Sequence, residues 1–194
     1  MPDDVFNVLM VGVGGQGIVL ASDILAEAAL LAGYDVKKSE IHGMSQRGGP
    51  VFSHVRFGTH VDSPVISTGS AHVLYALERM ELLRWADYAG PDAVAVYFAQ
   101  DVLPAGVEEY PDDLDDEIDR RFDSVVRLGA RALRGRASPK VKNVALLGAV
   151  SAFVPLPDAA YAEAMAALVP EGTVEANRAG FALGRELAEA AHVE

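Results

Sequence analysis

The sequence predicts an α/β fold, a single three-layer Rossmann-like domain with a mostly parallel sheet and C-terminal helices. A Val- and Leu-rich run over 5–11 ends in a glycine-rich turn, and a helical pattern over 17–32 follows it. Small and apolar residues in helical patterns dominate the region after 140. The chain has 194 residues, 51% of them hydrophobic, and shows no repeat or linker. These features predict one domain over 1–194.

Eight further elements are predicted from periodicity and from the glycine and proline breaks between them. They are strands over 34–40, 51–57, 72–77 and 93–98, and helices over 78–89, 141–154, 159–168 and 174–192.

Composition excludes several classes of protein. The chain has no cysteine, which excludes disulfides, thiolate zinc sites, cysteine nucleophiles and cysteine-ligated iron–sulfur clusters. A net charge of −12 argues against nucleic-acid and membrane partners. The start, residues 1–4, is acidic where a signal peptide is basic, and no apolar run reaches the ~18 residues of a membrane span. A cytoplasmic protein is the expectation.

Charge is segregated in the middle of the chain. Residues 108–123 hold nine acids, and residues 127–142 hold six basic residues and no acid. The simplest interpretation is that the acidic block is a solvated face and that the basic block forms ion pairs with it. The alternatives are that the acidic block docks a basic partner, and that the arginines contact phosphate or a partner. If the basic block is helical, Arg127, Arg131 and Arg134 share one face.

The turn after the first strand matches Gly-x-Gly-x-x-Gly, the pattern with which backbone amides approach an anion at a helix N-terminus. The acid that should follow at the end of the second strand is missing, and Lys37 and Lys38 lie near that point instead. A structural turn, or one that meets a ligand shared with another chain, is the competing interpretation. The candidate cofactor-binding residues are Gly12, Gly14, Gly15, Gln16 and Gly17.

A second polar, glycine-rich loop is predicted at the same edge of the sheet, where ligands bind in doubly wound folds. Its basic side chain Arg47 is the best single candidate for a carboxylate or phosphate contact, and the competing interpretation is that Arg47 anchors the loop through a backbone carbonyl or a salt bridge. Lys37, Lys38 and Arg56 are expected to gather at this edge, and residues 67–70 to add hydroxyls there. The candidate substrate or partner residues are Glu40, His42, Gly43, Met44, Ser45, Gln46, Arg47, Gly48 and Gly49.

The residue spacing gives little support to two specific chemistries, hydrolysis by a serine nucleophile and metal binding by histidines. His42 and Ser45 are a candidate base and nucleophile, but the loop lacks the Gly-x-Ser-x-Gly elbow. The histidines at 42, 54, 60 and 72 do not have the spacing of a helical metal-binding pair. No catalytic residue is therefore assigned, and no metal site is expected.

Several segments together resemble one family, the gamma domain of the 2-oxoacid:ferredoxin oxidoreductases. The loop form Gly-Met-Ser-Gln-Arg-Gly-Gly is most similar to the beta subunits of its indolepyruvate branch. The resemblance covers nearly the whole chain, and its segments are 11–18, 39–51, 53–58, 142–149 and 175–181.

The resemblance implies an enzyme complex that decarboxylates a 2-oxoacid, captures the acyl group on coenzyme A and passes electrons to ferredoxin. Thiamine diphosphate and the iron–sulfur clusters belong to a partner alpha subunit in this family, so the chain holds no cofactor alone and is expected to be inactive in isolation. The competing hypotheses are an autonomous NAD(P)-dependent dehydrogenase and a nucleotide-binding interaction module. The isolated chain is also a candidate homodimer through a patch of Leu82, Leu83, Trp85 and Tyr88, and the favoured alternative is that these four are core residues.

Overall fold

The computed structural model describes residues 5–43, 49–103 and 107–191, and the side chain of His42 lies outside the described part. These residues form a six-stranded sheet in the order β2-β3-β1-β4-β5-β6. Strand β3 is antiparallel to both its neighbours, and the other five strands run the same way. The strands are β1 (Phe6–Val13), β2 (Asp35–His42), β3 (Pro50–Gly58), β4 (Ala71–Ala76), β5 (Ala89–Phe98) and β6 (Ser124–Leu128).

Seven α-helices cover the two faces of this sheet within the described residues. A larger core joins one face to α1, α5, α6 and α7, and a smaller core joins the other face to α2 and α3. The predicted three-layer α/β architecture is therefore confirmed. The helices are α1 (Ile18–Leu31), α2 (Arg79–Arg84), α3 (Leu114–Arg121), α4 (Ala130–Leu133), α5 (Lys142–Ser151), α6 (Asp158–Leu168) and α7 (Val174–Ala191).

Strand β1 shows why the sheet is central. Val8 and Met10 face the larger core while Leu9 and Val11 face the smaller one, and all four are fully buried. Side chains alternate between the faces of a strand, so a continuous apolar run predicts a strand buried on both sides.

Close backbone contact fixes α5 against α7. A Cβ added at Gly148 would lie 2.0 Å from the carbonyl oxygen of Phe181, and one added at Gly184 would lie 1.7 Å from that of Ala145. Only glycine permits this approach, which sets the position of the N-terminus of α5 at the sheet.

One predicted helix is wrong in detail. The helix expected over 78–89 ends at Arg84, and a short 3₁₀ turn, Ala86–Tyr88, follows it. The turn allows the Trp85 ring to pack 4.1 Å from that of Phe52, with Tyr88 5.4 Å away. Leu82 is fully buried and the other three side chains of the proposed dimer patch are partly buried against the smaller core, which agrees with the interpretation that they are core residues. Dimerisation of the isolated chain stays a prediction.

The basic block is not one helix. Strand β6 contains Arg127, whereas Arg131 lies in the single-turn helix α4 and Arg134 follows it. The three arginines therefore do not share a helical face. Arg127 instead pairs with Asp119 at 3.0 Å, which agrees with the simpler interpretation that basic residues pair with the acidic block.

Candidate functional site

The ends of the five co-directional strands define one edge of the sheet, here called the carboxyl edge, and their starts define the amino edge. The glycine turn lies at the carboxyl edge, directly after β1. Gly17 precedes α1 with φ of 86°, a left-handed conformation that favours glycine. A Cβ on Gly17 would also lie 2.5 Å from Asn143 Nδ2, and one on Gly12 would lie 2.6 Å from Gln16 Oε1. A side chain at Gly12 or Gly17 would therefore displace a neighbouring side chain, and the backbone of Gly17 in addition favours glycine, whereas Gly15 is exposed.

Gln16 closes the turn with its side chain. Its Oε1 accepts the Val13 N–H at 2.7 Å, and its Nε2 donates to the Leu77 carbonyl at 3.3 Å. The turn is thus tied to the residue that follows β4, the neighbouring strand.

The two segments predicted from sequence meet where expected. The Gly14 N–H donates to the Gly49 carbonyl at 2.9 Å, and the Gly43 N–H donates to the Pro50 carbonyl at 2.8 Å. The second loop therefore leaves and re-enters the sheet beside the first glycine turn. Met44, Ser45, Gln46, Arg47 and Gly48 lie outside the described residues.

The strand order does not suit the dinucleotide-binding arrangement. In that arrangement the acid for the ribose closes the strand next to β1. Here the antiparallel strand β3 separates β2 from β1. Glu40, near the end of β2, lies 3.0 Å from Lys38, and the first amides of the turn are bonded within the protein. These features argue against a nicotinamide dinucleotide on this turn.

The prediction that Lys37, Lys38 and Arg56 gather at the carboxyl edge is wrong. Strand β3 runs backwards, and Arg56 lies opposite Lys37 on β2 and Asn7 at the start of β1. The distance along β1 from Asn7 to Val13 is roughly 20 Å at about 3.3 Å per residue. Arg56 therefore lies at the amino edge, where its guanidinium donates to Asn7 Oδ1 at 2.8 Å.

The hydroxyl segment 67–70 also lies at the amino edge, because it precedes β4 instead of following it. The Ser70 carbonyl accepts a hydrogen bond from Asn7 Nδ2 there at 2.9 Å. His54 is 2% exposed, its Nδ1 accepts the Ile66 N–H, and burial lowers its pKa below the ordinary range. His54 is a core residue, and no group of three or more His, Asp or Glu side chains that could hold a metal is found in the described parts of the chain.

The Leu77 carbonyl joins the glycine turn to a region that the motif search did not assign. This carbonyl accepts a hydrogen bond from Gln100 Nε2 at 2.5 Å in addition to the one from Gln16 Nε2. Gln100 Oε1 in turn accepts Lys142 Nζ at 3.0 Å, and burial lowers the pKa of Lys142. The order of strands around Leu77, which single-sequence patterns do not show, brings these side chains together.

Asn143 anchors the N-terminus of α5 to the same turn. Its Nδ2 donates to the Gly17 carbonyl at 3.1 Å, and its own carbonyl accepts the hydroxyl of the fully buried Tyr75 at 2.9 Å. The family-like segment 142–149 thus places one cationic and one amide side chain beside the glycine turn.

Glu78 is a further residue that sequence reasoning missed. It follows β4 by two residues, is fully buried, and caps α2 by accepting the Glu81 N–H at 2.7 Å. Its Oε1 has no hydrogen-bond partner among the described residues, and burial is the main cause that raises its pKa above the ordinary value. The only sequence signal is a glutamate directly after a predicted strand.

Comparisons with known proteins agree on one family. A model described as pyruvate ferredoxin/flavodoxin oxidoreductase matches residues 7–187. The chain is 34% identical to "Indolepyruvate oxidoreductase subunit IorB" of Thermococcus kodakarensis, over 95% of this chain and 96% of that protein. It is 36% identical to the protein of the same name from Archaeoglobus fulgidus, over 78% of each.

Solved structures have the same fold. The gamma subunit of a keto/oxoacid ferredoxin oxidoreductase from Geobacter sulfurreducens is 25% identical, with a TM-score of 0.70 over 95% of this chain and 99% of that one. A 2-oxoglutarate:ferredoxin oxidoreductase from Magnetococcus marinus is 21% identical, with a TM-score of 0.73, and the match covers 96% of this chain but 31% of that longer one. The chain therefore belongs to the pyruvate ferredoxin/flavodoxin oxidoreductase family, as a subunit of a 2-oxoacid oxidoreductase complex.

Proposed function

We propose that this chain is the gamma-type subunit of an oxidoreductase that converts indolepyruvate, or a related aryl pyruvate, to its acyl-coenzyme A derivative. The observation that carries the proposal is the near-complete match, at 34% identity, to a relative named as an indolepyruvate oxidoreductase subunit. The chain has no cysteine, so it supplies no thiolate to an iron–sulfur cluster. The clusters and thiamine diphosphate, and the delivery of electrons to ferredoxin, are therefore assigned to a partner subunit.

The carboxyl edge is the part of this chain that we assign to the partner's active site. Gly15 is exposed there, and the hydrogen bonds of Gly14 and Gly43 bring the start and end of the Glu40–Gly49 loop to the glycine turn. Arg47 in that loop is the proposed contact for a substrate carboxylate or a coenzyme A phosphate. The role of this chain is to bind and orient these anions and to exclude water, while thiamine diphosphate supplies the decarboxylation chemistry when it is bound.

The residues at this edge suit coenzyme A better than a nicotinamide dinucleotide. The glycine turn offers exposed backbone at Gly15, and Lys142 supplies a half-buried cation nearby. The strand that pairs with β1 on the side of β2 is the reversed β3, so no acid at the end of a parallel strand lies beside the glycine turn on that side. An autonomous NAD(P)-dependent dehydrogenase is correspondingly disfavoured.

The test of the proposal is purification of the tagged chain from its native host. We expect a larger partner to co-purify that contains iron and thiamine diphosphate. Recovery of the chain alone from a host that grows on aromatic amino acids, or with a partner that lacks both groups, contradicts the proposal.

The loop assignment has its own test in the purified complex. An Arg47→Ala variant is expected to raise the KM for coenzyme A or for the 2-oxoacid at least tenfold, since a charge-assisted contact to an anion is lost. A matched substitution at the amino edge, Arg121→Ala, should leave both constants unchanged, because the exposed Arg121 ends α3 shortly before β6 begins. Equal kinetics for the two variants would contradict the assignment of Arg47.

A further inference from the structure

An acidic pocket of about 320 Å³ opens between the end of β5 and the start of α3. Four of its described lining side chains are acidic, and one, Arg79, is basic. The guanidinium of Arg79 is already paired, at 2.6 Å with Asp101 and at 3.2 Å with Asp115. This pocket, here called the Tyr110 pocket, is further lined by Leu103, Glu108, Glu109, Tyr110 and Asp112.

Three of the acids in the Tyr110 pocket have no cationic partner. Glu108, Glu109 and Asp112 are exposed and form no ion pair within the described ranges of the chain. By contrast, Asp119 on the neighbouring helix α3 pairs with Arg127 at 3.0 Å. The pocket therefore carries an excess of negative charge that no described cation of this chain offsets.

Two buried carboxylates add negative charge behind Tyr110. Glu78 is fully buried and Glu81 is 6% exposed, and each has one oxygen without a hydrogen-bond partner among the described residues. The pKa of Tyr110 is raised to about 12, first by burial and then by the charges of Glu78, Glu81 and Asp101. These charges therefore act at the pocket itself. Buried carboxylate oxygens without a partner indicate that the compensating group comes from outside this chain.

Apolar side chains beside the pocket indicate that this group belongs to a protein. Leu103 is 43% exposed and Val107 is 42% exposed, and both belong to the segment that carries the pocket acids. The Tyr110 hydroxyl donates to the Val102 carbonyl at 3.0 Å, which fixes the ring within that segment. A free inorganic cation would leave both apolar side chains in water. A tyrosine beside apolar side chains, with charges around them, is typical of a protein–protein interface.

We propose that the Tyr110 pocket binds a basic side chain on a segment of the partner subunit, whose apolar side chains cover Leu103 and Val107. The inference deepens the proposed function and rests on it, because the partner is the subunit that carries thiamine diphosphate. Arginine suits the pocket better than lysine. Its planar guanidinium stacks on a tyrosine ring and bonds to two carboxylate oxygens at once.

The position of the pocket supports docking beside the proposed active site. The Arg79 N–H donates to the Gln100 carbonyl at 3.3 Å, and the Gln100 side chain donates to the Leu77 carbonyl. Gln16 of the glycine turn donates to that same Leu77 carbonyl. The pocket and the glycine turn therefore belong to one continuous surface, and a segment bound in the pocket would hold the partner against the carboxyl edge.

The experiment measures by calorimetry the Kd between this chain and its separately purified partner. The test variant carries Glu108→Lys and Glu109→Lys. The matched control carries Asp92→Lys and Asp123→Lys, which change the net charge equally at two exposed acids of the amino edge. At low ionic strength we expect a Kd at least tenfold weaker for the test variant, because like charges would then meet, and a smaller difference at high salt. The control should stay within twofold of wild type.

Turnover separates docking from a role in the chemistry. Once the partner saturates this chain, the test variant should have the wild-type kcat and the wild-type KM for coenzyme A and for the 2-oxoacid. A Kd within twofold of wild type in the test variant, or an equal loss in the test variant and the control, would overturn the inference. A wild-type complex that forms but does not use indolepyruvate would overturn the proposed function alone, because the Kd does not depend on turnover.

Discussion

The amino and carboxyl edges of the sheet both carry basic side chains, and the two edges differ in how these side chains are paired. At the amino edge, Arg56 donates to Asn7 Oδ1 and to the Ser63 and Val65 carbonyls, and Lys37 lies 2.6 Å from Asp35. At the carboxyl edge, Arg79 lies 2.6 Å from Asp101, whereas Lys142 donates to the amide oxygen of Gln100 and forms no ion pair among the described residues. Availability of a cation therefore depends on its local partners, not on how many basic residues lie near it in sequence.

Each edge also contains a groove. The groove at the carboxyl edge, about 430 Å³, is lined in part by Gln100 and Lys142. The groove at the amino edge, about 450 Å³, is lined by Asn7, Arg56 and the acid Asp92. The polar atoms of Asn7 and Arg56 are used to connect β1, β3 and the loop before β4. We interpret the amino edge as structural and the carboxyl edge as the ligand-binding side.

The largest expected effect concerns the helix that supports the carboxyl edge. Gly184→Ala places a Cβ 1.7 Å from the Ala145 carbonyl oxygen, so α7 must move away from α5, the helix that carries Lys142. We expect the free energy of unfolding to fall by about 3 kcal/mol or more, measured by urea denaturation. The control Gly172→Ala, where an added Cβ meets no atom within 4 Å, should change it by less than about 0.5 kcal/mol. Equal stability of the two variants would contradict the close packing.

The second effect tests the structural role of the amino edge. Arg56→Ala removes hydrogen bonds to one side chain and two carbonyls, and we expect a loss of about 1–3 kcal/mol in the free energy of unfolding. In the complex, the KM for coenzyme A should not change. A changed KM with unchanged stability would reverse the roles assigned to the two edges.

A smaller effect depends on pH and concerns Glu78. Burial raises the pKa of this carboxyl above the ordinary value of 4.5, so between pH 4.5 and the raised pKa the folded state holds a proton that the unfolded state has lost. The contribution of Glu78 to the free energy of unfolding is fully present below pH 4.5. It decreases as the pH rises from 4.5 through the raised pKa.

Glu78→Gln is expected to remove this decrease while it keeps an oxygen to cap α2. The difference in unfolding free energy between variant and wild type should therefore shift in favour of the variant as the pH rises from 4.5 to 8, which denaturation at several pH values measures. A difference that does not vary with pH would show that Glu78 titrates normally.

The smallest effect is expected for Lys37→Ala. The Lys37 side chain is 42% exposed, and exposed ion pairs contribute about 0.2–1 kcal/mol. We expect a change in unfolding free energy within about 0.5 kcal/mol, and no change in the kinetics of the complex. A kinetic effect of this variant would show that the amino edge takes part in function.

Local patterns were sufficient to predict the fold class. The apolar run of β1, the helix after Gly17 and the apolar segment of α5 each have a periodicity that depends only on neighbours in sequence. The proximity of the glycine turn and the second loop was also predictable, because both segments were placed at the ends of strands that run in the same direction.

The remaining features depend on contacts between distant residues. The reversed direction of β3 moved Arg56 to the amino edge, and no local pattern in 50–58 shows which way the strand runs. Strand β6 is only five residues long and lies between charged blocks, so its Val-Val core was hidden by the charge pattern. Lys142 and Gln100 are 42 positions apart in sequence, and the strand order alone brings them together.

The most direct test of the central claim is reconstitution of the complex from its separate subunits. The partner that carries thiamine diphosphate and the clusters would be assayed for coenzyme A-dependent viologen reduction with indolepyruvate, first alone and then with this chain. The account predicts that turnover appears only when both are present, and that this chain alone reduces neither viologen nor NAD(P)⁺. Full activity of the partner alone, or indolepyruvate-dependent NAD(P)⁺ reduction by this chain alone, would contradict it.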